Sequence, residues 1–221
     1  MIRLVLEAST YRGSAALLRD GTLMGDVTVA MRGRDAEALM PAVAALLEEH
    51  DVSPGALGQI VCGAGPGAFT SLRIAGAIAK GLALAHGVPL FSISSLALIV
   101  AGRQAPVAGR FLAALDAMRG EFYLQPFEAS LSGELRPLAE PALATEAGSI
   151  DLARDLQAIA LGPHCVGAGW SEPHARSAQV ITNLTQMLRP ADLAGWEPAY
   201  GRLAEAQVKW EALHGRPLAG A

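Results

Sequence analysis

Charge is scarce in this chain. Asp, Glu, Lys and Arg make up 17% of its 221 residues, against 52% hydrophobic ones. A wholly disordered chain or a coiled coil needs far more charge, so both are poor readings of this composition. Basic residues are not in excess either: 17 Lys and Arg face 21 Asp and Glu, a net charge of -4. Holding nucleic acid unaided requires a basic face, and no cluster of Lys or Arg supplies one. The two cysteines, Cys62 and Cys165, lie far apart with no CxxC spacing. They read as buried thiols in a reducing compartment. No apolar window approaches the roughly eighteen residues of a membrane span. Arg3, Glu7 and Arg12 interrupt any apolar leader at the start. The expected location is the cytoplasm.

Catalytic signatures are also missing. The histidines are His50, His86, His164, His174 and His214, and no two stand four apart, as a helical metal pair requires. There is no Gly-x-Ser-x-Gly elbow. Cys165 follows His164 directly, and adjacent residues of an extended segment point to opposite faces. A Walker-type P-loop is absent, since Lys80 is followed by Gly81. Gly63-x-Gly65-x-x-Ala68 imitates a dinucleotide turn, but no acidic residue ends a strand about twenty residues later.

What is present is an alternation of strand and helix patterns. Ile2–Leu6, Gly13–Leu18 and Leu23–Met31 read as three antiparallel strands, with a hairpin signal at Asp20-Gly21. Ala36–His50 carries Leu39, Val43, Leu46 and Leu47 on one helical stripe. A strand is predicted at Ile60–Gly63, a helix over Thr70–His86 and a strand at Val88–Ser92. Ser94 or Ser95 then caps a helix through Val100. After a break at Arg103–Gly109 come strands at Phe111–Leu115 and Phe122–Phe127, around a charged turn from Asp116 to Glu121. Helices are expected near Asp151–Ile159 and within Ala178–Leu188. The implied division is residues 1–103, a smaller α/β half at 110–213, and a frayed tail at 214–221.

The richest segment joins the strand ending at Gly63 to the helix at Thr70. Gly65, Pro66 and Gly67 make a turn that can admit a close neighbour, and a helix N-terminus behind a glycine turn favours anions. Gly65, Gly67 and Thr70 are therefore candidate phosphate or backbone-approach positions. The helix that follows is apolar almost all round, with Leu72, Ile74, Ile78, Leu82 and Ala85. One face can pack on its own sheet, and the other asks for a partner or another domain.

Four blocks then carry a resemblance. Gly65-Pro66-Gly67-Ala68-Phe69-Thr70-Ser71-Leu72-Arg73-Ile74, with the later Ala79-Lys80-Gly81-Leu82-Ala83, is similar to the glycine segment of the bacterial TsaB (YeaZ) family. Ile93-Ser94-Ser95-Leu96, Leu115-Asp116-Ala117-Met118-Arg119-Gly120-Glu121-Phe122-Tyr123 and Glu197-Pro198-Ala199-Tyr200-Gly201-Arg202 resemble further blocks of that family in the same order. The chain departs from the family at Glu7, where an Asp is usual, at Asp35-Ala36-Glu37, where His-Ser-Glu is common, and at Ser71, where Gly is usual.

The resemblance implies an actin-like ATPase fold of α/β class, with a βββαβα first half and a smaller second half. It implies a catalytically silent relative of the transferase TsaD, with no metal or cofactor of its own. The complex concerned uses ATP and transfers threonylcarbamoyl to the adenosine beside the anticodon of ANN-decoding tRNAs. The implied partners are a TsaD-like transferase subunit and a TsaE-like ATPase, or a second copy when the chain is alone; tRNA is reached only through the complex. On this reading Leu39, Val43, Leu47, Arg73, Ala75, Ile78, Ala79 and Leu82 form the partner interface. Two other readings stay open at this point: an independent enzyme of the same superfamily, or a homodimeric regulatory module with no tRNA role.

Overall fold

The computed structural model describes residues 1–31, 38–103, 107–163, 172–174, 184–201, 210 and 213–215. It begins with the expected antiparallel strands β1 (Ile2–Glu7), β2 (Arg12–Arg19) and β3 (Thr22–Ala30). Asp20 and Gly21 both take positive φ (50° and 84°), as a type I′ hairpin demands. Helix α1 (Leu39–Glu49) follows, then β4 (Gln59–Gly63), α2 (Phe69–His86), β5 (Leu90–Ile93) and α3 (Ser95–Ala101). Ser94 caps α3, its hydroxyl accepting the Ala97 amide at 3.4 Å.

The second half contains β6 (Gly109–Asp116), β7 (Glu121–Ala129), β8 (Leu135–Pro137), β9 (Ala142–Thr145), α4 (Glu146–Asp155), β10 (Ile159–Leu161) and β11 (Arg189–Pro190). The helix expected at Asp151–Ile159 starts five residues earlier, because Thr145 caps it by accepting the Gly148 amide at 3.2 Å. Ile159 belongs instead to β10. Of the stretch Ala178–Leu188, residues 178–183 lie outside the described residues, and Thr185–Met187 form a single 3-10 turn.

Two sheets result. The first has the order β11-β5-β4-β1-β2-β3, with β1, β4 and β5 parallel. The second has the order β10-β6-β7-β8, with β9 also paired to β7. Residues alternate along the first sheet. Leu4, Leu6, Ile60 and Cys62 face α1 and α2, whereas Val5 and Val61 face α3 and the second sheet. Every residue of α3 is buried, which explains its apolar sequence. The layers therefore run from α1 and α2, through the first sheet and α3, to the second sheet. Leu152 and Ala153 of α4 cover the far side, against Leu112 and Leu124. This is the α/β architecture expected from the sequence.

Candidate functional site

The glycine turn is packed by its own chain. Gly65 takes a φ of 84°, and a Cβ there would sit 2.5 Å from the Ala199 carbonyl oxygen. A Cβ on Gly67 would sit 2.2 Å from the Ser9 carbonyl oxygen. Both glycines are thus required by close approach of other backbone. The Gly65 amide donates to Ser95 Oγ at 3.0 Å, and the Ala68 amide donates to the Ser9 carbonyl at 2.7 Å. Pro66 has no amide hydrogen to offer. The amides of Gly65 and Ala68 are engaged within the fold, while Thr70 stays exposed on the first turn of α2.

Glu7 lies beneath this turn with 1% of its surface exposed. Its Oε1 accepts the Ser9 amide at 2.6 Å, and its Oε2 accepts the Ser95 hydroxyl at 2.9 Å. Burial pushes its pKa up; the hydrogen bonds from Ser9, Ser95 and the Ala8 amide work against that. A Cβ on Gly63 would meet Oε2 at 1.9 Å, so β4 must carry glycine there. The carboxyl group ties three elements together from inside the fold. Cys62 beside it is buried, and burial followed by the nearby Glu7 pushes its thiol far up, which leaves an inert thiol. Among the described residues no three His, Cys, Asp or Glu side chains converge. His164, Cys165 and Asp35-Ala36-Glu37 lie outside those residues.

A cleft of about 1050 Å³ opens between the two sheets, beyond the carboxyl ends of β4 and β5. Ile93, Ala129 and Leu135 give it apolar walls, and Arg110, Glu128, Arg136 and Arg189 give it charged ones. Arg110, Glu128 and Arg136 stand opposite one another on β6, β7 and β8. Arg136 donates to Glu128 at 2.6 Å and holds that carboxylate below its usual pKa.

The two helices expected to meet a partner correct the residue assignment. Leu39, Val43, Leu47, Ala75, Ala79 and Leu82 are buried against the first sheet and belong to this chain's own core. Ile78 is half-buried, packed on the same cluster, and Arg73 is exposed. A helix that is apolar all round, as α2 is, does not reveal which side meets the sheet; here Leu72, Ala75, Ala79, Leu82 and Ala83 turn inward. Met40, Ala44 and Ala45 of α1 and Ala77, Gly81 and Leu84 of α2 point outward instead. Leu84 is 75% exposed and Met40 41%.

One flank of α2 is covered by a segment whose position the sequence did not reveal. After β11 pairs with β5, residues 191–201 run back across the helix as a strap. Lys80 Nζ donates to the Trp196 carbonyl at 3.0 Å, Pro198 packs on Gly76, and the Ala199 amide donates to the Ala64 carbonyl at 2.7 Å. Tyr200 ends the strap: its ring lies 4.5 Å from that of Phe69, and its carbonyl accepts the Tyr123 hydroxyl at 3.2 Å. The Glu197–Arg202 block was the available signal, but its spacing says nothing about where it docks.

Comparison with known proteins agrees with this geometry. A family described as "TsaD: tRNA N6-adenosine threonylcarbamoyltransferase" matches residues 32–158. The Bacillus subtilis protein named "tRNA threonylcarbamoyladenosine biosynthesis protein TsaB" is 30% identical over 227 aligned positions, covering 95% of this chain and 98% of the relative. The Escherichia coli protein of the same name is 32% identical over 59% of this chain and 56% of the relative. The solved structure of YeaZ from Pseudomonas aeruginosa superposes with a TM-score of 0.72 at 26% identity, over 90% of this chain and 99% of that one. The actin-like ATPase fold follows, and the chain belongs to the TsaB (YeaZ) family.

Proposed function

We propose that this chain works in the synthesis of threonylcarbamoyladenosine on tRNA, as a noncatalytic scaffold and activator subunit. Its likeness to TsaB over nearly its whole length carries this reading. Its docking face is the outward stripe of α1 and α2, where Met40, Ala44, Ala45, Ala77, Gly81 and Leu84 are exposed. Small residues on such a stripe let another helix approach closely, and the flanking Met40 and Leu84 supply apolar area. The partner is the TsaD-like transferase subunit, joined by a TsaE-like ATPase; a second copy takes the same face when the chain is alone. ATP consumption and contact with tRNA belong to the complex, and cytoplasmic residence follows from that substrate. The packed glycine turn and the inward carboxyl group of Glu7 support a silent role, since both are engaged in holding this fold.

The test is to mix the purified chain with the TsaD-like protein of its own organism and measure the mass of the product by light scattering. A mixed assembly is expected. Two separate species, unchanged when ATP is added, would overturn the scaffold reading.

A further inference from the structure

Arg73 occupies an unusual setting on the outward side of α2. Phe69 lies one helical turn before it, and the Arg73 guanidinium sits 4.2 Å from the centroid of that ring. Tyr200 of the strap brackets it, with its ring centroid 5.5 Å away and its hydroxyl accepting from Arg73 Nε at 3.4 Å. Two aromatic rings and one hydrogen bond thus hold an exposed guanidinium in place. Among the described residues no carboxylate lies within ion-pair distance of it. By contrast, Arg12, Arg136 and Arg154 each have an acidic partner. Arg73 stands on the same outward side as Ala77, one further turn along, so it continues the docking stripe.

We propose that Arg73, braced by Phe69 and Tyr200, receives a side-chain carboxylate of the TsaD-like subunit; this rests on the docking face described above. Orientation of a planar guanidinium before binding lowers the ordering cost of a paired, two-bond contact with a carboxylate. Arg and Tyr are also the residue types that anchor protein interfaces. A polyphosphate or an RNA backbone calls for several cations, whereas among the described residues this stripe offers Arg73 beside Ala77, Gly81 and Leu84. The strap therefore has a second task. It covers one flank of α2, and through Tyr200 it aims the Arg73 guanidinium.

Calorimetric titration of the TsaD-like subunit with the wild-type chain, Arg73→Gln and Arg73→Lys tests this, at low and high salt. Arg73→Gln is expected to bind at least about tenfold more weakly and to lose most of the salt dependence. Arg73→Lys, which keeps the charge but not the planar fork, is expected to fall between them. Thermal melts of each isolated chain show whether folding is affected, and a merely structural Arg73 would move the melt while leaving the salt dependence intact. Wild-type affinity in Arg73→Gln overturns the carboxylate contact and leaves the docking face standing. Loss of tRNA binding to the assembled complex, with subunit affinity unchanged, overturns it in favour of phosphate. Absence of any wild-type binding overturns the docking face and this contact together.

Discussion

The Ser95 hydroxyl donates to Glu7 across 88 positions of the chain, and it accepts the Gly65 amide on its other side. One hydroxyl thus connects β1, the glycine turn and the start of α3. Burial raises the Glu7 pKa, so the folded state keeps this proton to a higher pH than the unfolded chain does. The stabilisation is complete below the unfolded value of about 4.3 and is lost as pH rises through the folded one. Glu7→Gln stays neutral, and its amide can donate to Ser95 while its oxygen accepts the Ser9 amide. Urea unfolding from pH 4 to 8 should show wild type losing stability relative to Glu7→Gln as pH rises. Parallel curves would show that Glu7 does not carry this titration.

Two glycines make opposite predictions. Gly67→Ala places a methyl group against the Ser9 backbone, and backbone cannot swing aside. A loss of more than about 2 kcal/mol is expected. A Cβ at Gly81 meets nothing within 4 Å, so Gly81→Ala should stabilise the isolated chain by up to about 1 kcal/mol through helix propensity. Chemical denaturation of both variants checks the pair, and equal effects would refute the packing described for the turn.

Neighbouring alanines separate surface from core. Ala79 is fully buried, and Ala79→Glu should prevent folding because a charge enters an apolar cluster. Ala77 is exposed two positions earlier. Ala77→Glu combined with Gly81→Glu should leave circular dichroism and melting nearly unchanged while abolishing mixed assembly with the TsaD-like subunit. Retained assembly in that double variant would move the docking face elsewhere.

The strap can be loosened without touching the core. Lys80→Met removes the ammonium that bonds the Trp196 carbonyl. A cost of about 1 kcal/mol is expected for this half-exposed contact. Hydrogen exchange should quicken at the Ala199 amide, which bonds Ala64, while the amides of β1 keep their protection. Uniform quickening throughout the chain would show that the strap does not open as a unit.

The first half of the fold was legible because its elements are long and strongly patterned. The Asp20-Gly21 hairpin, the Leu39–Leu47 stripe and the Ser94 cap each carry a local signal that tertiary context did not override. The strands β8, β10 and β11 have three residues or fewer, too few for any alternation to show. The start of α4 was missed because Gly148 and Ser149 occupy its first turn. At the site, the glycine turn was found by composition, with phosphate binding and backbone approach both open. The structure shows the backbone of Ser9 and Ala199 lying against Gly67 and Gly65. Helices α1 and α2 were legible as elements, whereas the burial of Leu39, Val43, Leu47, Ala75, Ala79 and Leu82 in the chain's own core was not.

The bond between Ser92 and Arg189 spans 97 positions, and with it the last strand of the first sheet comes from beyond the whole of the second. Such pairing is slow to form, because the intervening chain must be ordered first. During synthesis, β5 therefore remains an open edge until residue 190 has left the ribosome. The face of α2 flanked by the strap is likewise unfinished until residue 201 arrives. A chain cut before residue 190 has neither β11 nor the strap, so it leaves both the β5 edge and one flank of α2 uncovered.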